Sequence, residues 1–210
     1  MKLLFASANP HKVSEVARIL GPGFDLLSLK SVEFEEEIPE NEATFEGNAL
    51  VKASALYAHC SRLLGEGAVG CFADDSGLEV DALDGAPGVR SARYSGENNA
   101  VLRDQANIRL LLQRLEGVRE MAARSARFRT VVAFVHGGQH WFFEGKVEGY
   151  IAYEPRGNEG FGYDPVFVPE GFDNHFSELS MDQKNRISHR GMAVRRFAEF
   201  LLSYRKRALL

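Results

Sequence analysis

Two aspartates stand side by side in the stretch Phe72-Ala73-Asp74-Asp75-Ser76-Gly77. Adjacent carboxylates repel unless a proton or a cation separates their charges. Hard oxygen donors of this kind suit Mg2+, which takes one or two protein carboxylates and completes its shell with water and phosphate oxygens. A carboxylate so placed can also orient or deprotonate an attacking water. The same letters equally spell an Asp-rich turn, because Asp-Ser-Gly is ordinary turn chemistry. On this stretch alone the two readings stand level.

Four further stretches carry polar chemistry. Ser7-Ala8-Asn9-Pro10-His11-Lys12 joins an apolar run to a helical pattern. Free N–H groups at a helix start, a hydroxyl, an amide and an ammonium gathered in one turn suit a polyphosphate. The competing reading is a helix cap followed by a surface lysine. The acidic run Glu33, Glu35, Glu36, Glu37, Glu40 and Glu42 reads mainly as a solvated edge. One of its glutamates, beside the next helix start, could reach a metal, and spacing does not choose which.

Phe161-Gly162-Tyr163-Asp164-Pro165 pairs aromatics with a glycine, so backbone can approach a ligand while a ring stacks on a base. A core aromatic in a turn is the alternative. Lys184 and Ser188-His189-Arg190-Gly191 place an ammonium for phosphate beside a His-Arg pair for a carbonyl-bearing base. Alone, such residues near helix ends are usually surface. Together the five stretches form the inventory for metal-dependent cleavage of a nucleoside triphosphate.

Two other motifs fail on context. Gly65-Glu66-Gly67-Ala68-Val69-Gly70 matches the dinucleotide pattern G-x-G-x-x-G, but a helix precedes it and a strand follows, the reverse of what pyrophosphate binding at a helix start requires. His136 and His140 are four apart, as in a helical metal pair, yet they flank Gly137-Gly138 and read as the borders of a turn.

The elements that must position these residues follow from hydrophobic period. Leu3–Ala6 reads as a buried strand and a helix follows from about His11, with Val13, Val16, Ala17 and Leu20 on one face. Phe24–Leu29 reads as a second strand. Thr44 caps a long helix whose apolar stripe is Phe45, Ala49, Ala53, Leu56, Cys60 and Leu63. Ala68–Ala73 reads as a strand ending in an Asp-Asp-Ser-Gly loop, with a short strand at Leu78–Leu83 beyond it. A helix over Asn99–Leu115 shows Val101, Ile108, Leu112 and Leu115. Phe128–Val135 and His140–Val147 form a hairpin. A short helix near Met181–Arg186 and a final helix carrying Ala193, Phe197, Phe200, Leu201 and Tyr204 close the chain. This order predicts an α/β protein with parallel strands early and an antiparallel hairpin later.

Length and composition agree. The 210 residues suffice for one domain, in one or two lobes, and a net charge of −4 gives no support to a nucleic-acid or membrane-surface binder. No apolar run approaches the roughly 18 residues of a membrane helix. The apolar stretch at the start is too short for a signal peptide, so a cytoplasmic protein is expected. Cys60 and Cys71 match no redox or zinc spacing and read as buried, reduced thiols.

The sequence resembles the inosine/xanthosine triphosphate pyrophosphatase family. The marks are Ser7-Ala8-Asn9-Pro10-His11-Lys12, Thr44-Phe45-Glu46-Gly47-Asn48-Ala49, Ala73-Asp74-Asp75-Ser76-Gly77-Leu78, Gly85-Ala86-Pro87-Gly88, Ser91-Ala92-Arg93-Tyr94-Ser95-Gly96, Gly160-Phe161-Gly162-Tyr163-Asp164-Pro165 and Ile187-Ser188-His189-Arg190-Gly191, in family order. The resemblance implies Mg2+-dependent hydrolysis of ITP, dITP and XTP to the monophosphate and pyrophosphate. It also implies an elongated mixed β-sheet flanked by helices, two lobes with a substrate cleft between them, and a homodimer. Carried onto this chain, Asp75 is the catalytic carboxylate and, with Glu40, a metal ligand. Ser7, Ala8, Asn9, Pro10, His11 and Lys12 hold the triphosphate. Ser76, Phe161, Gly162, Tyr163, Asp164, Lys184, His189 and Arg190 contact substrate, with His189, Arg190 and loop N–H groups expected to donate to the O6 of the base.

Overall fold

The structure is a computed structural model that describes residues 2–36 and 38–207. Glu37, one member of the acidic run, lies outside the described residues, as do the side chains of His11 and of residues 205–207.

Six strands form one sheet in the order β2-β1-β3-β4-β5-β6. They are β1 (Lys2–Phe5), β2 (Asp25–Leu27), β3 (Gly70–Val80), β4 (Ser125–His136), β5 (Gln139–Ile151) and β6 (Phe167–Pro169). The helices are α1 (Pro10–Leu20), α2 (Phe45–Leu64), α3 (Arg103–Arg114), α4 (Met181–Ile187) and α5 (His189–Arg207). β1 runs parallel to β2 and to β3, with Leu4 opposite both Leu27 and Cys71. β5 and β6 are antiparallel, Tyr150 facing Val168. Gly137 and Gly138, at φ +56° and +72°, make the two-residue turn between β4 and β5; two successive left-handed residues match the strand twist of a hairpin. The mixed α/β architecture expected from the order of elements is the one observed.

The chain divides into two compact units. The first comprises Met1–Asp75, Thr130–Gly145 and Arg190–Leu210; the second comprises Ser76–Arg129 and Lys146–His189. In the first, side chains alternate across the strands as the β period requires. Leu3, Phe5, Phe72, Val132 and Phe134 pack with Val16 and Leu20 of α1 and with Ala193, Val194, Phe197 and Leu201 of α5. On the other face, Leu4 and Cys71 pack with Leu56 and Cys60 of α2, while Ala73 and Ala133 pack with its Ala49 and Ala53. With both faces covered, these strands read as continuous apolar runs rather than as alternation. The second unit gathers Leu78, Val80, Phe128, Ile151 and Phe167 of the strands around Ile108, Leu111 and Leu115 of α3.

Four expectations need correction. The Asp-Asp-Ser-Gly stretch is not a loop between two strands: β3 runs unbroken from Gly70 to Val80. The second strand shrinks to Asp25–Leu27, because Ser28 accepts a hydrogen bond from the Ser31 N–H and starts a 3-10 turn at Leu29. Val101, placed on the apolar face of α3, is 84% exposed and precedes the helix. Leu63 is exposed near the end of α2. Thr44 does cap α2, accepting from the Gly47 N–H, and both cysteines are buried free thiols. Among the described residues no helix is long and apolar enough to cross a membrane.

Candidate active site

The continuity of β3 decides how its carboxylates are used. Successive strand residues point to opposite faces. Phe72 faces α5 and Ala73 faces α2; the alternation carries on, with Asp74 turned to the side of α1 and α5 and Asp75 to the side of α2. The two carboxylates therefore make their nearest ion pairs on opposite faces, although the Lys52 charge acts on both.

Asp74 is 2% exposed. Its Oδ1 accepts from Lys12 Nζ at 2.9 Å and its Oδ2 from Arg190 Nε at 3.1 Å. Arg190 Nη1 donates in turn to Glu15 Oε2 at 2.6 Å. Burial alone would raise the Asp74 carboxyl, but the charges of Lys12, Arg190 and Lys52 outweigh it and hold the group well below the usual carboxylate range. Burial, seconded by Arg190 and Lys52, lowers Lys12 against the pull of Asp74.

On the other face, Asn48 Nδ2 donates to Asp75 Oδ2 at 3.0 Å. Lys52 Nζ lies 2.7 Å from Glu40 Oε1, 2.8 Å from the Asp74 carbonyl oxygen and 3.8 Å from Asp75 Oδ1. Glu40 and Asp75 thus face one ammonium. Burial raises Asp75; Lys52 opposes the shift, Glu40 adds to it, and the net direction is upward. For Lys52, the attraction of Asp75, Asp74 and Glu40 overcomes burial and raises the amine. Two hard carboxylates around a shared cation fit Mg2+, whose remaining ligands are normally water and substrate oxygens. No group of three or more His, Cys, Asp or Glu side chains suited to caging a metal occurs among the described residues.

The Ser7–Lys12 turn contains the predicted helix start. Ser7 Oγ accepts from the Asn9 N–H, and Asn9 Oδ1 from the Lys12 N–H, both at 3.3 Å. Pro10 opens α1 where its missing N–H is not needed. Ala8, Asn9 and Pro10 are exposed, and Ser7 is half-buried. So the cap and the cluster of donors coexist, and Lys12 is not a free surface lysine: it reaches Asp74.

The second unit holds the aromatic-glycine loop. Asp164, buried, accepts at Oδ2 from the Phe161 N–H at 2.8 Å and from Lys184 Nζ at 2.5 Å. A Cβ on Gly160 would run into that carboxylate. The Lys184 ammonium also lies 4.8 Å from the Phe161 ring centre, within cation–π range. Tyr163 is 3% exposed and its hydroxyl donates to the Ser91 carbonyl at 2.9 Å, so it is a core aromatic; Phe161 is the half-buried ring of the loop. The Gly162 N–H donates to Asp104 Oδ2 at 2.7 Å. Two of the loop's N–H groups, those of Phe161 and Gly162, are thus engaged by carboxylates of the protein. His189 stacks on Phe128 with centroids 4.8 Å apart, and Ser76 is half-buried.

Within the first unit the structure brings together Lys12, Glu40, Asp74, Asp75 and Arg190; within the second, Phe161, Asp164 and Lys184. Sequence reasoning missed Glu15, Asn48 and Lys52. A signal was available for the last two: they lie four apart, each immediately before an alanine of the apolar stripe, which puts polar side chains at the edge of the buried arc of α2. Glu15 beside Val16 carries the same signal in α1.

A mixed sheet covered by helices on both faces, with buried carboxylates matched to lysines and an arginine, defines an α/β protein with an enzyme-like polar centre. The chain belongs to the Ham1 family, whose model matches residues 3–200. It is 48% identical over 202 residues to a dITP/XTP pyrophosphatase of Porphyromonas gingivalis, covering 96% of this chain and 97% of that protein. It is 46% identical over 200 residues to a dITP/XTP pyrophosphatase of Bacillus subtilis, covering 94% and 96%. Among solved structures it superposes on the Staphylococcus aureus Ham1 protein with a TM-score of 0.83 at 35% identity, covering 97% of this chain and all of that one. With a nucleoside-triphosphatase / dITP/XTP pyrophosphatase of Mycobacterium abscessus the TM-score is 0.74 at 45% identity, covering 92% and 97%.

Proposed function

We propose that this chain is a nucleoside triphosphate pyrophosphohydrolase that converts ITP, dITP and XTP to the monophosphate and pyrophosphate, clearing deaminated purines from the nucleotide pool. The observation that carries the reading is the division of labour on β3, where Asp74 is locked between Lys12 and Arg190 while Asp75, on the other face, sits beside Asn48, Lys52 and Glu40. Near-full-length likeness to proteins named dITP/XTP pyrophosphatase supports the substrate class.

In this reading Asp75 takes the proton of the attacking water. Water then adds to a phosphoryl group and pyrophosphate leaves. Lys12 and Lys52 offset the charge that develops on the phosphate oxygens, while Asn48 holds Asp75 in place. Glu40 and Asp75 would hold Mg2+, which when bound would neutralise phosphate charge. The Ser7–Lys12 turn takes the triphosphate; Ser76, Phe161 to Asp164, Lys184, His189 and Arg190 contact the rest of the substrate. Hypoxanthine and xanthine present an acceptor at O6 where adenine presents a donor. With the Phe161 and Gly162 N–H groups bonded to Asp164 and Asp104, reading O6 is assigned to His189 and Arg190. The protein works in the cytoplasm as a homodimer.

The test is pyrophosphate release from ITP, dITP, XTP, GTP and ATP, with Mg2+ and with EDTA. The expected result is turnover of the first three that EDTA abolishes, with ATP at least about a hundredfold slower. Equal rates on ATP and ITP, or turnover indifferent to EDTA, would overturn the corresponding part of the reading. Light scattering after gel filtration checks the dimer.

A further inference from the structure

α3 carries Asp104 and Asn107 three residues apart, a spacing that puts both on one helix face. Asn107 is 2% exposed and fully used. Its Oδ1 accepts from the Ser95 N–H and Oγ, both at 2.8 Å, and its Nδ2 donates to the carbonyls of Ser91 at 3.2 Å and Ala92 at 3.3 Å. The 91–95 turn is therefore fixed to α3. Tyr163 rests on that turn through its hydroxyl bond to the Ser91 carbonyl. One residue earlier, the Gly162 N–H donates to the exposed carboxylate of Asp104. Gly162 has φ +63°, in the left-handed region that few residues adopt.

Two successive amides at the start of the loop are thus held. Asp164 draws in the Phe161 N–H from within the loop, and Asp104 draws in the Gly162 N–H from α3. Phe161, the half-buried ring, has its backbone set between these two bonds. Without Asp104 the Gly162 amide loses its partner, and the peptide that orients Phe161 can rotate.

We propose that Asp104 is a positioning residue that latches the Phe161–Asp164 loop to α3 and so sets Phe161 for the purine base. The proposal rests on the reading that this loop contacts the base. It predicts an effect on substrate affinity with little effect on the chemical step, because Asp104 bonds to loop backbone and not to the carboxylate–lysine cluster.

Asp104 also lies in the first turn of α3, where a carboxylate favours the helix dipole. The conservative variant separates the two roles. Asp104→Asn loses the charge but keeps an oxygen that accepts from Gly162, whereas Asp104→Ala loses both. The experiment compares the full-length wild type, Asp104→Ala and Asp104→Asn in steady-state kinetics with ITP and Mg2+, in thermal melting, and in amide hydrogen exchange of the free protein.

Asp104→Ala is expected to raise KM for ITP roughly tenfold, as loss of a charge-assisted hydrogen bond implies. Its kcat should stay within about twofold, and exchange at the Gly162 amide should speed up. Asp104→Asn should restore most of KM and of the amide protection. An unchanged KM in Asp104→Ala overturns the proposal. So does a parallel loss of kcat and melting temperature that Asp104→Asn shares, which would mark a helix-dipole role. If wild type releases no pyrophosphate from ITP, the functional reading fails separately; unchanged Gly162 exchange in Asp104→Ala would still show that no latch exists.

Discussion

Replacing Arg190 with methionine removes the guanidinium while keeping most of the apolar volume. In the native protein Nε lies 3.1 Å from Asp74 Oδ2 and Nη1 lies 2.6 Å from Glu15 Oε2. The three side chains are 2%, 1% and 9% exposed, so solvent screens these pairs little. At an effective dielectric of about 20 such separations correspond to roughly 5 and 6 kcal/mol of gross attraction. Desolvation of the guanidinium, which the variant avoids, cancels much of that. The two acids stay buried with one cation fewer, and removing one partner of a buried pair costs about 3–5 kcal/mol. Asp74 retains Lys12 at 2.9 Å, which keeps the expected loss inside that range. Urea unfolding of Arg190→Met at pH 7 should show it. The pH dependence has a definite sign. Burial raises Asp74, but Lys12, Arg190 and Lys52 together leave its folded pKa below the unfolded one. A depressed carboxylate adds stability above its unfolded value, about 4, and loses it as pH falls through the folded value. Without Arg190 the depression is smaller, so the gap between wild type and variant holds constant while Asp74 is ionised in both and narrows only as pH falls through the variant's folded value. A loss below about 1 kcal/mol at pH 7 would refute the assignment of Arg190 as a charge strut.

Asp75→Asn keeps the shape of the side chain but removes the base; turnover of ITP should fall at least about a hundredfold with a melting temperature within a few degrees of wild type, and near-native turnover would sink the role of Asp75. Gly160 has φ +83°, and a Cβ there would strike the Asp164 carboxylate; Gly160→Ala should cost more than about 2 kcal/mol in urea unfolding and weaken ITP binding, whereas a silent variant would mean the loop is not packed as described. Cys71 is fully buried and burial, with the Cys60 thiol beside it, pushes its pKa up. Since only the thiolate alkylates readily, iodoacetamide at pH 8 should leave the native protein unlabelled by intact mass and label both cysteines in urea.

Much of the fold is legible from hydrophobic period. Thr44 announces the start of α2, Gly137-Gly138 the hairpin, and the apolar stripe of α5 its buried face. The Asp-Asp-Ser-Gly segment shows where such reading stops. Its letters favour a turn, yet flanking residues on both sides are buried, and strand pairing overrides the local preference. The error mattered chemically: a loop would let Asp74 and Asp75 share one cation, while a strand sends them to opposite faces. Val101 misled for the opposite reason, an apolar residue at helical spacing that sits before the helix begins. In the candidate site, the carboxylates, Lys12, Lys184 and the glycine loop announce themselves by type. Asn48, Lys52 and Glu15 do not, because polar residues on helices are usually solvent-facing; their place beside the buried stripe hints at burial, but their partners lie 27, 22 and 175 residues away. The internal use of the Phe161 and Gly162 N–H groups was likewise invisible, since it depends on where Asp164 and Asp104 fold back.

The reach of the Arg190 strut bears on how the protein comes to be folded during synthesis. Its bonds close loops of 116 and 175 residues, back to Asp74 and to Glu15. A chain made only as far as α4 already carries both acids, β1, β3 and α2, but lacks the guanidinium that lets those acids be buried together. The first unit therefore cannot reach its native charge balance until α5 is made, and non-local closures of this length are slow steps. The interval before α5 docks leaves one apolar face of β1 and β3 covered by α1 alone, which is when this chain has most need of protection from aggregation.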